Sequence, residues 1–205
     1  MPIAPGDDHR ALPTGSFPCD GVVVQGEAVF SPCRTWRYRV DYTWDAAIPG
    51  RVVWVLLNPS TADGGAFDPT LRRCFGFARS CRAPIGGMIV LNAYGLRATS
   101  PKHLRSHPDP VGPENLTTIA AVIAEHPQAP VVCGFGGHAD DHPGHLVRLG
   151  AALASAGSRL RALNFTAVGL PKHPLYLPGV PQGQALEDVW RPYAPTATRP
   201  RAVRR

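Results

Sequence analysis

Residues 51–63 read RVVWVLLNPSTAD. The apolar run from Val52 to Leu57 stops at Asn58, and a proline, two hydroxyls and a carboxylate follow. A short run that is apolar at every position, without alternation, predicts a strand buried on both faces, as at the centre of a parallel sheet. A strand that merely turned back would not need so many hydrogen-bonding groups at its tip. The loop 58–67 leads instead to Asp68-Pro69-Thr70. A capping Asp followed by Pro at the first helical position marks a helix start. That helix is expected to reach about Arg79, with Leu71, Phe75 and Ala78 inward and Arg72, Arg73 and Arg79 off the stripe.

The same unit repeats down the chain. GGMIVLN (86–92) predicts a second buried strand, and after a long polar loop PENLTTIAAVIAEH (113–126) predicts a second helix. PVVCGFG (130–136) is a third strand, a helix opens at Pro143 and ends near Gly157, and LRALNFT (160–166) is a fourth strand. A short helix is expected near 184–190. Upstream, WRYRVDYTW (36–44) alternates with period two, the mark of a half-buried strand, placed here at an edge. Residues 1–30 read as a loop-rich segment, 31–190 as a single α/β domain and 191–205 as a basic Pro/Arg-rich tail expected to be disordered. The expected fold is a three-layer α/β/α arrangement. Its mainly parallel central sheet has about four strands, plus an N-terminal antiparallel edge strand or hairpin.

Composition narrows the function classes. The 205 residues carry a net charge of +6, of which the five arginines of the last fifteen residues supply +5. The basic balance is therefore a property of the tail, which adds weak, salt-sensitive attraction to phosphates or serves only as a solubilising segment. Five scattered cysteines without a CxxC pair give no zinc ribbon or disulfide framework, and their spacing gives little support to an iron–sulfur cluster. No apolar run approaches a membrane span, and MPIAPGDDHR lacks the pattern of a secretory signal. A cytoplasmic monomer with no metal and no cofactor is expected.

In open α/β sheets ligands sit beyond the carboxyl ends of the strands. The four predicted strands end in Asn58, in Asn92, in Gly134–His138 and in GLPKHPLYLP (169–178) with Lys172, His173 and Tyr176. Four polar or glycine-rich tips on one edge favour a cleft. The helix start at Asp68 adds free N–H groups that attract anions, with Thr70, Arg72 and Arg73 in its first turn. Each residue also has a plainer role: Asn58 bonding the turn at Pro59, Asp68 capping its helix, His173 packing as a structural histidine. His138, His142 and His145 lack carboxylate or thiolate support in register for a metal. The loop 97–113 holds Arg97, Lys102, His103, Arg105 and His107, either a nucleic-acid contact or a solvated surface.

LNPSTAD, DPTLRRCFGFA, NAYGLRATSP, DPVGPEN and GLPKHPLYL together resemble the domain-of-unknown-function family 1643, found in bacteria and phages, over roughly residues 36–180. The order of the strand-end motifs also resembles, more distantly, the uracil-DNA glycosylase superfamily. VLLNPST is similar to its water-positioning motif and GGMIVLNAYG to the strand ending in a base-reading asparagine; CGFGGHA and KHPLYLP are similar to its later motifs. That resemblance implies a glycosylase-like fold and a hydrolase that flips a base out of DNA and cleaves its N-glycosidic bond with water. Asn58 would orient the water with help from Asp63 or Asp68, and His173 would bond the departing base. Asn92 would read the base edge, and Tyr94 or Phe135 would stack on it. Leu175 and Tyr176 would wedge the duplex. Pro59, Ser60, Thr61, Thr70, Arg73, Arg97 and Lys172 complete the expected binding surface. The extra acids and the Leu-Tyr-Leu after the His-Pro pair depart from the uracil pattern, so uracil is in doubt and a different base, a modified base or a nucleotide stays open. The partner is then nucleic acid, DNA first, or a nucleotide. Two other classes stay open: an enzyme acting on free nucleotides or modified bases, and a non-catalytic nucleic-acid-binding protein in phage defence.

Overall fold

The computed structural model describes residues 12–60 and 66–195. Its strands are β1 (Leu12–Cys19), β2 (Val22–Phe30), β3 (Arg37–Thr43), β4 (Arg51–Leu56), β5 (Gly87–Asn92), β6 (Val131–Cys133), β7 (Leu160–Ala162) and β8 (Arg191–Pro192). The helices are α1 (Pro69–Arg79), α2 (Pro101–Ser106), α3 (Asn115–Glu125), α4 (His145–Leu153) and α5 (Leu186–Val189). One sheet joins all the strands in the order β1-β2-β3-β5-β4-β6-β7-β8.

The run that opened the sequence, β4, lies between β5 and β6 and is parallel to both. Val52, Trp54 and Leu56 enter one core, with Leu71, Cys74, Phe75 and Ala78 of α1. Val53 and Val55 enter the other, with Ile119 and Ile123 of α3 and Leu149 and Leu153 of α4. With helices on both faces, no position on the strand can be polar, which is why the run is continuous rather than alternating. Each such side chain, once fully buried, contributes roughly 1.5–3 kcal/mol.

The expectation of a mainly parallel sheet is corrected. β5, β4, β6 and β7 form a parallel centre, but β1–β2, β2–β3, β3–β5 and β7–β8 all pair antiparallel. The sheet is mixed, and antiparallel pairings outnumber parallel ones. The alternating strand β3 is not an edge: β2 covers it on one side and β5 on the other. Residues 12–30, read as loop, form the β1–β2 hairpin, closed by the two-residue turn Asp20-Gly21 with φ of 45° and 82°. Positive φ at both turn positions matches the right-handed twist of the strands it joins. On the outer side of β3, Arg39 grips both carboxylate oxygens of Asp41 at 2.7 and 3.0 Å and reaches Glu125 at 2.6 Å. This ties β3 to the end of α3.

The polar loop 97–113 also carries structure. Ser100 caps α2 by accepting from the Lys102 N–H at 3.2 Å. Leu104, 1% exposed, anchors the helix in a third small core with Tyr94, Leu96, Ala98 and Val111. Among the described residues no helix is long and apolar enough to cross a membrane. Of the tail 191–205, expected to be disordered, Arg191–Pro192 form β8 and Tyr193 is buried, while residues 196–205 lie outside the described residues.

Candidate functional site

Because β5, β4, β6 and β7 run parallel, their carboxyl ends share one edge of the sheet. The β4 and β5 tips stay zipped beyond the last strand residue: the Ala93 and Tyr94 N–H groups donate to Leu56 O at 2.8 Å and Leu57 O at 2.9 Å. Asn58 then turns its amide onto main chain. Its Nδ2 donates to Ala98 O at 2.7 Å and to Pro59 O at 2.9 Å, while the Ala98 N–H donates back to Pro59 O at 3.1 Å. The plainer role foreseen for Asn58 is therefore present. It has a chemical consequence: two carbonyl partners fix which end of the amide is nitrogen, so the oxygen points away from them as a fixed acceptor.

Asp68 caps α1, its Oδ1 accepting from the Leu71 N–H at 2.8 Å. One turn on, Arg73 donates through Nη2 to Leu177 O and lies 5.4 Å over the Phe77 ring. That bond pins the segment 171–177 against α1. The same segment rests on the tip of β6, where the Gly136 N–H donates to Pro171 O at 2.9 Å. Gly134 is required there by contact, because a Cβ would stand 2.7 Å from Pro174 Cδ. His173 enters this junction with its Nδ1 buried and without a partner. Burial lowers its pKa, and the nearby Asp68 carboxylate pulls the other way. Its ring lies 5.8 Å from that of Tyr176, which is 81% exposed, and Leu175 beside it is 38% exposed.

The fold thus assembles Asp68, Arg73, His173 and the β6 glycines at one junction, with Asn58 on the neighbouring tip of β4. Pro59 is buried, Ser60 and Thr70 are half-buried, and Lys172 is exposed. Asn92 is buried at the β5 tip, 2% exposed. Thr61 and Asp63 lie outside the described residues. Two stacking expectations are corrected. Tyr94 is fully buried, stacks on His145 at 4.3 Å and donates its hydroxyl to Ala139 O at 3.0 Å, so its faces are taken by the protein. Phe135 is 1% exposed and packs edge-on to Tyr193. Arg97 faces the β2–β3 turn, 5.3 Å over Phe30 and donating to Arg34 O at 3.2 Å.

Two positioning residues escape a reading of the sequence alone. Asn115, fully buried at the start of α3, donates its Nδ2 to Asn92 O at 2.9 Å and Ala93 O at 3.2 Å, splinting the β5 tip. Asp141 bridges His138 at 3.0 Å and Arg105 at 3.1 Å, joining α2 to the turn after β6. Asn115 falls inside the motif DPVGPEN, which is a signal of importance without a signal of role. Among the described residues no group of three His, Cys, Asp or Glu side chains is placed to hold a metal ion, and all five cysteines are free thiols.

Residues 37–175 match the model of a family described as protein of unknown function, DUF1643. The chain belongs to the DUF1643 family. The match runs from the first residue of β3 to the turn after His173, so in this DUF1643 protein the β1–β2 hairpin, α5 and β8 lie outside the matched region. No curated protein and no solved structure matches the chain.

Proposed function

We propose that this DUF1643 protein is a hydrolase of the DNA glycosylase type, cleaving the N-glycosidic bond of a base, modified or not, in DNA. The observation that carries the reading is His173 seated at the β6 tip, in a segment that Arg73 ties to α1, with an Asn58 amide at the tip of β4 whose oxygen is held as an acceptor. The distant resemblance of the strand-end motifs, in their order, to those of uracil-DNA glycosylases points the same way.

The chemistry follows from what each group can do. Breaking the C–N bond leaves cationic charge on the sugar and anionic charge on the base. Dipoles already aimed at those charges supply most of the rate. Asn58 Oδ1 accepts a proton of the attacking water and holds its lone pair toward the sugar. An amide is too weak a base to remove that proton, so the Asp68 carboxylate takes it. His173, kept neutral by burial, donates an N–H to the departing base. Arg73 holds the His173 segment against α1. Tyr176 and Leu175 stand exposed on the adjacent turn, where an extruded base leaves a gap in the duplex.

The test is to incubate the protein with oligonucleotides carrying uracil or modified pyrimidines and then treat with alkali. Strand breaks are expected at one such base, reduced on the order of 10²–10³-fold in Asn58→Ala and His173→Ala. Absence of breaks on every substrate overturns the reading. Release of base from free nucleotides alone would move the activity to the small-molecule class.

A further inference from the structure

A cleft of about 570 Å³ lies at the other end of the sheet, beyond the amino ends of the parallel strands. Its wall is made by the residues that lead into β4, β5, β6 and β7, closed on one side by Trp190. The volume falls within the roughly 300–1,000 Å³ of small-molecule sites. Three arginines line it, Arg51, Arg159 and Arg161, and none has a carboxylate at ion-pair distance among the described residues. The two carboxylates on the wall are engaged elsewhere. Glu125 accepts from Arg39 at 2.6 Å, and Glu187 accepts from the main-chain N–H of Arg82 at 3.1 and 3.3 Å.

The three guanidinium groups differ in what they have left to offer. Arg159 spends both terminal nitrogens on the carbonyls of Ile123, His126, Ala129 and Ser155 and so closes the end of α3. Arg51 and Arg161 each spend Nη1 alone: Arg51 on Ile48 O and Gly50 O, Arg161 on Ser158 O and Leu160 O. Main-chain carbonyls fix the position of a guanidinium without cancelling its charge. Among the described residues the Nε–Nη2 edge of each makes no hydrogen bond, and that edge is the fork that pairs with two oxygens of one phosphate. Arg161 also lies 5.5 Å over the Trp190 ring, which holds that fork at the cleft wall.

We propose that this cleft binds a small molecule carrying a phosphate monoester, anchored by Arg161 beside Trp190 with Arg51 adding positive charge at the cleft wall, at a site separate from the strand-tip junction. A bare phosphate would leave most of the volume unfilled, so an organic body belongs beside Trp190.

The probe is adenosine monophosphate, with inorganic phosphate as competitor and adenosine as the phosphate-free control. Titration followed by NMR should move the indole N–H signal of Trp190, assigned by its loss in Trp190→Phe, with saturation and with displacement by phosphate. Arg161→Gln should weaken binding at least tenfold, and Arg51→Gln by a smaller factor. Arg161→Lys, which keeps charge and loses the fork, should fall between Arg161→Gln and the unaltered chain. Melting curves check that each variant is folded, and Arg159 is left intact because α3 depends on it. Asn58→Ala and His173→Ala should bind the nucleotide as the unaltered chain does, which separates this site from the proposed active site. No saturable shift at Trp190, binding of adenosine as strong as of its phosphate, or unchanged affinity in folded Arg161→Gln or Arg161→Lys overturns the proposal.

Discussion

At the scale of single residues, the strand tips are braced by polar groups that the chain buries beside them. Asn115 was not legible as a support, because an Asn after Pro-Glu reads equally well as a helix start. Only the folded chain brings its amide under Asn92 and Ala93, 23 and 22 residues back. Asn115→Ala should cost roughly 2 kcal/mol in chemical denaturation, since two carbonyls lose a buried donor. His145 was weighed as a metal ligand and is a buried core ring instead. Burial first, and Arg148 second, push its pKa down to about 4. Its folded value is below the ordinary 6.5, so the unfolded chain takes up the proton first on acidification. The stability it secures is complete above pH 6.5 and is lost as pH falls toward 4, by about 3 kcal/mol at most. His145→Phe, which keeps a ring against Tyr94, should flatten that part of the stability–pH curve. For His173, burial favours the neutral ring. The acid limb of any pH–rate profile should therefore lie below the ordinary imidazole value, and an acid limb above neutrality would argue against a neutral donor there.

At the scale of elements, the strong signals were the ones with a single physical cause. The run 52–57, the Asp-Pro start of α1 and the Leu71/Phe75/Ala78 stripe all stand as read, because burial on both faces, capping and helical period each act within a few residues. The β1–β2 hairpin was missed although Asp20-Gly21 announces it, because a loop-rich composition hid the alternation of Phe17, Cys19, Val24 and Ala28. Gly21 sits at φ 82°, so Gly21→Val should lower stability by roughly 1–2 kcal/mol, seen as an earlier thermal transition. At the β6 tip Gly134→Ala should act differently. Its methyl would displace Pro174 and carry His173 with it, so loss of activity should exceed loss of stability. A drop in stability with full activity would show that the His173 segment tolerates movement.

At the scale of the whole molecule, β3 is the strand on which the fold turns. Read alone, its alternation of aromatic and charged residues suits an edge, yet it is interior, and the hairpin before it covers its outer side. A chain beginning at residue 31 should expose β3 as an unpaired edge and self-associate, which light scattering would detect; a monodisperse monomer would show the hairpin to be dispensable. What the sequence determined by itself was local: which segments are strands and helices, which faces are apolar, and which strand tips are polar. Those follow from periodicity, capping and turn chemistry over a few residues. Strand order, the mixed sheet, the burial of Tyr94 and Phe135, and the tie of the His173 segment to α1 through Arg73 were decided only by the tertiary structure. Pairing partners and packed neighbours lie tens to a hundred residues apart, and no local pattern encodes them. The same holds for LNPSTAD: its polarity was visible from the start, and the carbonyl of Ala98 that orients Asn58 was not.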